Sequence, residues 1–217
     1  PIPNLTDPHQ PILALKGIHK RFGGIQALSG VSFDLRAGEV HALVGENGAG
    51  KSTLIKIITG AYLPDAGSIA VGGSEYGGLS PLQARQLGIG AVYQEFNLLP
   101  DMSAAENIFL SCPPVGRTRL IDTAARARQA GELLARLGAQ NHINPNELAK
   151  NLTVGEQQIV EIAKALALNA QILIMDEPSA VLPSRDLDRL FEVIKTLRRE
   201  GHGIIYISHR LNEIFEL

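Results

Sequence analysis

Gly45-Glu46-Asn47-Gly48-Ala49-Gly50-Lys51-Ser52 is the stretch on which the reading of this chain turns. It follows a short apolar run, Glu39 to Val44, that reads as a buried strand, and it precedes Ser52 to Thr59, which reads as a helix. In that context, the pattern of Gly, four residues, then Gly-Lys-Ser/Thr is a phosphate cradle. The glycines let the backbone wrap closely with its N–H groups turned inward. The helix beginning near Lys51 aims its positive dipole end at the same point. Lys51 is placed to neutralise the β- and γ-phosphates of a nucleotide, and the Ser52 hydroxyl to ligate Mg²⁺. Gly45, Glu46, Asn47, Gly48, Ala49, Gly50, Lys51, Ser52 and Thr53 are therefore candidate ATP-binding residues. A chance glycine-rich turn before a helix would rarely complete the pattern.

Working outward, a second stretch complements the first. Ile172-Leu173-Ile174-Met175-Asp176-Glu177 is an apolar strand ending in two adjacent carboxylates. Asp176 is a candidate to hold Mg²⁺ through water. Glu177 is a candidate general base toward an attacking water. Taken alone, the pair reads equally well as acids capping the next helix, with Pro178 in its first turn. The upstream loop favours the chemical reading.

The composition narrows the function classes. Twenty Lys+Arg stand against 22 Asp+Glu in 217 residues, so no basic footprint for nucleic acid is present. Hydrophobic residues make up 45%, which calls for a packed domain. The one cysteine, Cys112, has no partner for an internal disulfide and reads as an ordinary reduced thiol. Residues 1–11 are proline-rich and polar, a flexible segment without the pattern of a signal peptide. No apolar run approaches the ~18 residues of a membrane span, so a membrane role would come through partners. The end at Leu217, inside an amphipathic pattern, suggests a fragment.

Period and propensity outline an α/β chain. Strands are expected at Ile12–His19, Val31–Leu35, Ser68–Gly72, Ile89–Tyr93, Gln171–Met175 and Gly203–Ile207, with a turn at Phe22-Gly23-Gly24. Helices are expected at Pro81–Leu87, Ala104–Leu110, Thr123–Leu137, Glu156–Leu168 and Arg185–Arg199. Strands linked by helices imply a parallel sheet, and the run of helices in the middle reads as an insertion.

Between the two chemical motifs lies Leu152-Thr153-Val154-Gly155-Glu156-Gln157-Gln158, which resembles the Leu-Ser-Gly-Gly-Gln signature of ABC ATPases. Gln94 looks like that family's glutamine after the strand, His209 like its switch histidine, and Phe22 like the aromatic that stacks on adenine. Each is weak alone; their joint order carries the resemblance across essentially the whole chain. Tyr93-Gln94-Glu95-Phe96-Asn97-Leu98-Leu99-Pro100, Val160 to Leu166 and Tyr206-Ile207-Ser208-His209-Arg210 are closest in character to the ATPases of ribose, galactose and arabinose importers, in which two such domains are fused. This chain resembles the first.

The resemblance implies a P-loop nucleotide-binding domain over residues 12–217. It would have a mixed or parallel sheet core, an antiparallel β subdomain and a helical subdomain at about 95–165. It implies ATP and Mg²⁺ as cofactors, with Gln94, Glu177 and His209 catalytic. Ser52, Gln94 and Asp176 would serve the metal, and Phe22, Thr153, Gly155 and Glu156 the nucleotide. The implied partners are a second nucleotide-binding domain, membrane permease subunits and, indirectly, a periplasmic or extracellular sugar-binding protein, at the cytoplasmic face of a bacterial membrane. Departures are Thr153 for Ser, Val154 for Gly, Glu156 for Gln, and Pro183 where many relatives carry Asp. A soluble ABC protein acting on ribosomes or DNA, another P-loop enzyme and a catalytically silent regulator are the competing readings.

Overall fold

The structure, a computed structural model, describes residues 10–46, 48–116 and 119–217. Asn47 and most of the 1–11 segment lie outside the described residues. The described chain divides into two units. One contains the residues up to Ala91, Ala170–Glu177 and Leu197–Leu217; the other contains Val92–Asn169 and Pro178–Thr196.

The first unit holds two four-stranded sheets. In one, the order is β2-β1-β4-β5: β1 (Leu13–Phe22) pairs antiparallel with β2 (Ile25–Leu35) and with β4 (Ala66–Val71), which pairs with β5 (Ser74–Tyr76). Leu13 and Leu15 of β1 bury on one face, as alternation requires. A shift in register between Leu15 and Ile18 then returns Ile18 to the core, as a bulge does.

The second sheet has the order β3-β8-β7-β6, from β3 (Val40–Leu43), β8 (Gly203–Ile207), β7 (Ile172–Asp176) and β6 (Ile89–Val92). β3 pairs parallel with β8, and β8 parallel with β7. Every residue of β8 is buried, and so are the first four of β7. That is why these strands read as unbroken apolar runs rather than alternating ones. Helix α1 (Lys51–Ile58) buries Leu54, Ile55, Ile57 and Ile58 in a core shared with Leu13, Leu35, Ile69, Ile174 and Ile207. Short helix α2 (Pro81–Gln86) starts on a reciprocal Ser80–Gln83 cap.

Three details correct the sequence reading. Phe22 closes β1, and only Gly23-Gly24 turn; β2 begins at Ile25, well before Val31; and β5 was not expected. β2 is paired with β1 through three register shifts and contains Gly30, so its early half shows no clean period of two.

The second unit is helical: α3 (Ala104–Ile108), α4 (Thr123–Arg136), α5 (Val154–Ala167) and most of α6 (Ser184–Arg199). Side-chain caps set the helix starts. Ser103 and Glu106 cap α3 reciprocally, and Asp122 accepts from the Ala125 amide at 2.8 Å at the head of α4. The loop after β6 is tied down by buried polar groups. Asn107 accepts from the Leu99 amide at 2.7 Å and donates to the Ser103 carbonyl at 3.0 Å, while Glu161 accepts from the Asn97 amide at 2.7 Å. The Cys112 thiol donates to the Ala167 carbonyl at 3.5 Å. Among the described residues, no helix is long and apolar enough to cross a membrane.

Candidate functional site

In the first unit, the glycine-rich loop leaves β3 and enters α1 at Gly50, whose φ of 89° no side chain tolerates well. A Cβ there would lie 2.6 Å from the Ala27 carbonyl oxygen and 2.8 Å from Leu28 Cδ2, both in β2. The loop is thus pressed against a strand, and only glycine permits that approach. Nothing in the first turn of α1 competes for its N–H groups: no side chain caps the helix and no acid occupies that turn. Lys51 Nζ donates to the carbonyls of Gly45 (2.6 Å) and Glu46 (2.9 Å), which holds the ammonium over the mouth of its own loop.

The two carboxylates stand at the end of β7. Burial pushes the Asp176 carboxyl above the usual carboxylate range. The neighbouring Glu177 pushes the same way, and the Lys51 charge pulls against both. A half-buried acid in this position is matched chemically by a cation. Glu177 sits at a φ of 47°, a left-handed conformation uncommon for a non-glycine residue, and its amide donates to the Ile207 carbonyl at 3.1 Å. That turn brings Glu177 Oε1 to 3.3 Å from His209 Nδ1. Because a carboxylate only accepts, it is an Nδ1–H that can donate across this pair. The structure therefore brings Lys51, Asp176, Glu177 and His209 together on the first unit. A glycine-rich loop entering an uncapped helix, an ammonium and a half-buried acid beside a hydroxyl-bearing turn (Ser52, Thr53) fit a nucleotide triphosphate carrying a divalent metal ion.

Phe22 ends β1 41% exposed, with its ring edge-on to Tyr62 at 5.3 Å between centroids. Lys20 Nζ lies 5.5 Å from the Phe22 ring, and Lys56 Nζ 5.2 Å from that of Tyr62. Tyr62 was not singled out in the sequence. The only signal was an aromatic after Gly60, in a segment whose sole pattern is a turn.

The remaining predicted residues belong to the second unit. Gln94 lies exposed after β6. Thr153 caps α5: its hydroxyl accepts from the Glu156 amide at 3.3 Å, and the Glu156 carboxylate accepts from the Thr153 amide at 2.8 Å. Glu156 is thereby engaged in the cap, while the Thr153 hydroxyl keeps its proton to donate. Gly155 is buried, and a Cβ there would lie 2.7 Å from Asp186 Cγ. Val154 is 38% exposed. Pro183 is exposed just before α6, and its carbonyl accepts from the Asp186 amide at 2.9 Å.

Comparison with known proteins places this geometry in a family. A family model described as ABC transporter matches residues 28–180. A ribose import ATP-binding protein of Streptomyces avermitilis is 52% identical over 95% of this chain, which spans 39% of that protein. A putative ribose/galactose/methyl galactoside import ATP-binding protein of Burkholderia lata is 48% identical over 95% of the chain, again spanning 39% of its own length. Among solved structures, a nucleotide-free ATP-binding cassette from an ABC transporter superimposes with a TM-score of 0.83 at 27% identity, covering 95% of this chain and 84% of the other. A dimeric cassette bound to ADP and Pi superimposes with a TM-score of 0.75 at 27% identity, covering 93% and 89%. The chain thus spans about two fifths of the length of the curated relatives it matches. By its phosphate loop, its sheet order and this match, the chain belongs to the ABC transporter family, as one of its ATP-binding domains.

Proposed function

We propose that this domain hydrolyses ATP as one half of the motor of a monosaccharide importer of the ribose and galactose type. The observation that carries the reading is the convergence, in one unit, of Lys51, Asp176, Glu177 and His209, with Glu177 turned by its left-handed backbone to within 3.3 Å of His209. The names of the relatives support the sugar class.

MgATP, when bound, supplies the phosphoanhydride bond to be broken and a divalent charge that offsets the one developing on the transferred group. Lys51 and the loop amides would hold the phosphates, and Ser52 and Asp176 would serve the metal. Phe22 offers its exposed face to adenine. Glu177 takes a proton from the attacking water, and His209 orients the Glu177 carboxylate through its Nδ1–H.

Thr153 and Gly155 act on the nucleotide of a second nucleotide-binding domain, arranged head to tail, whose own signature completes this site. Relatives more than twice as long as this chain support such a second domain within one polypeptide. Permease subunits dock near Gln94 on the cytoplasmic face of a bacterial membrane, and a sugar-binding protein delivers the cargo from outside.

The test uses specific activity across a hundredfold dilution, with Glu177→Gln as control. The isolated chain binds ATP and turns over slowly, faster per molecule at high concentration. Glu177→Gln loses about 10²–10⁴-fold in rate with binding retained. A monomer with full, concentration-independent turnover would overturn the head-to-tail reading, and an active Gln variant would remove Glu177 as base.

A further inference from the structure

We infer that Glu213 is a positioning residue for the hydrolytic centre: its buried carboxylate grips the residues immediately before and after His209 and so sets where that imidazole stands. The inference rests on the reading of His209 and Glu177 given above. Its own basis is a cluster that the proposed chemistry does not otherwise use.

The His209 side chain is 61% exposed, and its one described polar partner is Glu177. With most of the ring in solvent, its aim depends on the backbone of the 208–210 turn. That turn hangs between β8, buried throughout, and α7 (Leu211–Glu216). Glu213, in the first turn of α7, is only 5% exposed. Its Oε2 accepts two hydroxyl protons, from Tyr206 at 2.9 Å and from Ser208 at 2.8 Å. Both donors are themselves buried, Tyr206 at the end of β8 and Ser208 just beyond it. Its Oε1 faces Arg210 Nη1 at 3.4 Å. The Ser208 oxygen in turn accepts from the Arg210 amide at 3.0 Å. One carboxylate therefore ties the strand end, the residue before His209 and the residue after it.

The arrangement calls for an acceptor oxygen at this position. Two hydroxyls can both donate to one oxygen that brings no proton of its own, as a carboxylate or amide oxygen does. Hydrogen bonds to charged acceptors are about twice as strong as neutral ones, which suits a buried clamp. An acid serving stability alone would need partners, but it would not need them to be the two neighbours of the switch histidine.

The test follows the ring of His209 by NMR in the full chain, with histidine rings isotopically labelled and the signal identified among the six histidines by its loss in His209→Gln. In the native background, Glu177→Gln moves the His209 resonance. In the Glu213→Ala background, the same change moves it less than half as far, while Glu213→Gln, which keeps an acceptor, retains most of the response. Nucleotide affinity, set by Lys51 and the phosphate loop, to which Glu213 makes no described hydrogen bond, stays within about twofold in the Glu213 variants, while turnover falls. An undiminished His209 response in Glu213→Ala overturns the inference. If Glu177→Gln leaves His209 unmoved in the native background, the His209–Glu177 pairing itself fails, and that result is distinct. Should Glu213→Ala lose nucleotide binding through misfolding, Ser208→Ala and Tyr206→Phe remove the hydroxyls singly. Ser208→Ala is then the more damaging of the two, because it also frees the Arg210 amide, and an unreduced response in both overturns the clamp.

Discussion

Alanine at Gly50 and at Gly48 separates two costs that usually arrive together. Both residues lie in the left-handed region, at φ 89° and 88°. A side chain in that region costs about 1–2 kcal/mol from its own backbone. At Gly48 nothing lies within 4 Å of the added Cβ, so that is the whole cost. At Gly50 the Cβ meets the Ala27 carbonyl oxygen at 2.6 Å and Leu28 Cδ2 at 2.8 Å, and the oxygen belongs to a strand that cannot swing aside. Overpacking of this kind adds about 1–3 kcal/mol. Gly50→Ala should therefore lose about 2–5 kcal/mol in total, against about 1–2 kcal/mol for Gly48→Ala. For a chain of this size, each kcal/mol lowers Tm by about 2–4 °C. If the loop shifts instead of the whole fold weakening, the missing part reappears as weaker nucleotide binding, tenfold for about every 1.4 kcal/mol. Thermal unfolding and titration with a fluorescent ATP analogue, run on both variants, measure the two shares. Equal losses in Tm and affinity for the two alanines would show that the loop does not rest on β2.

Further expectations follow from single groups. Lys51→Ala removes the ammonium from the loop, weakens MgATP binding and abolishes turnover; equal affinity in a titration would mean the site is misplaced. Phe22→Ala loses stacking on the base, about 1–3 kcal/mol by analogy with base stacking in single-stranded complexes, whereas unchanged affinity would return Phe22 to a packing role against Tyr62. Asp176 and Glu106 respond to pH with opposite sign. The Ser103 amide and hydroxyl, with Arg126, hold Glu106 below its ordinary 4.5, so its contribution is present above that pH and is lost as pH falls through the lowered value. Asp176 is raised above 3.8, so its contribution is present below that pH and is lost as pH rises through the raised value. Urea midpoints from acid to neutral pH should show Asp176→Asn more stable than the parent at neutral pH, and Glu106→Gln with a flatter acid limb.

Most of what could be read early shares one property: its physical demand is local. A glycine loop between strand and helix and an apolar run ending in two acids each act within a few positions. What escaped depends on distant neighbours. β5 exists because β4 offers it an edge, and three residues carry too little period to announce themselves. The early half of β2 was hidden because its register slips against β1. Glu213 looks in sequence like a solvated acid near a helix start; only the hydroxyls of Tyr206 and Ser208, arriving from β8, make it a buried anchor. The left-handed turn at Glu177 was equally invisible, since no glycine or asparagine flags it.

The reciprocal cap of Thr153 and Glu156 bears on encounter as well as on folding. Each member satisfies the other's backbone amide within a single turn, so the start of α5 needs no outside group to hold its shape. Freezing a side chain on association commonly costs about 0.5–1.5 kcal/mol. Here that entropy is surrendered once, when the chain folds. A surface that meets Thr153 finds the hydroxyl oxygen already held in place, and so can let go again without any refolding of the turn.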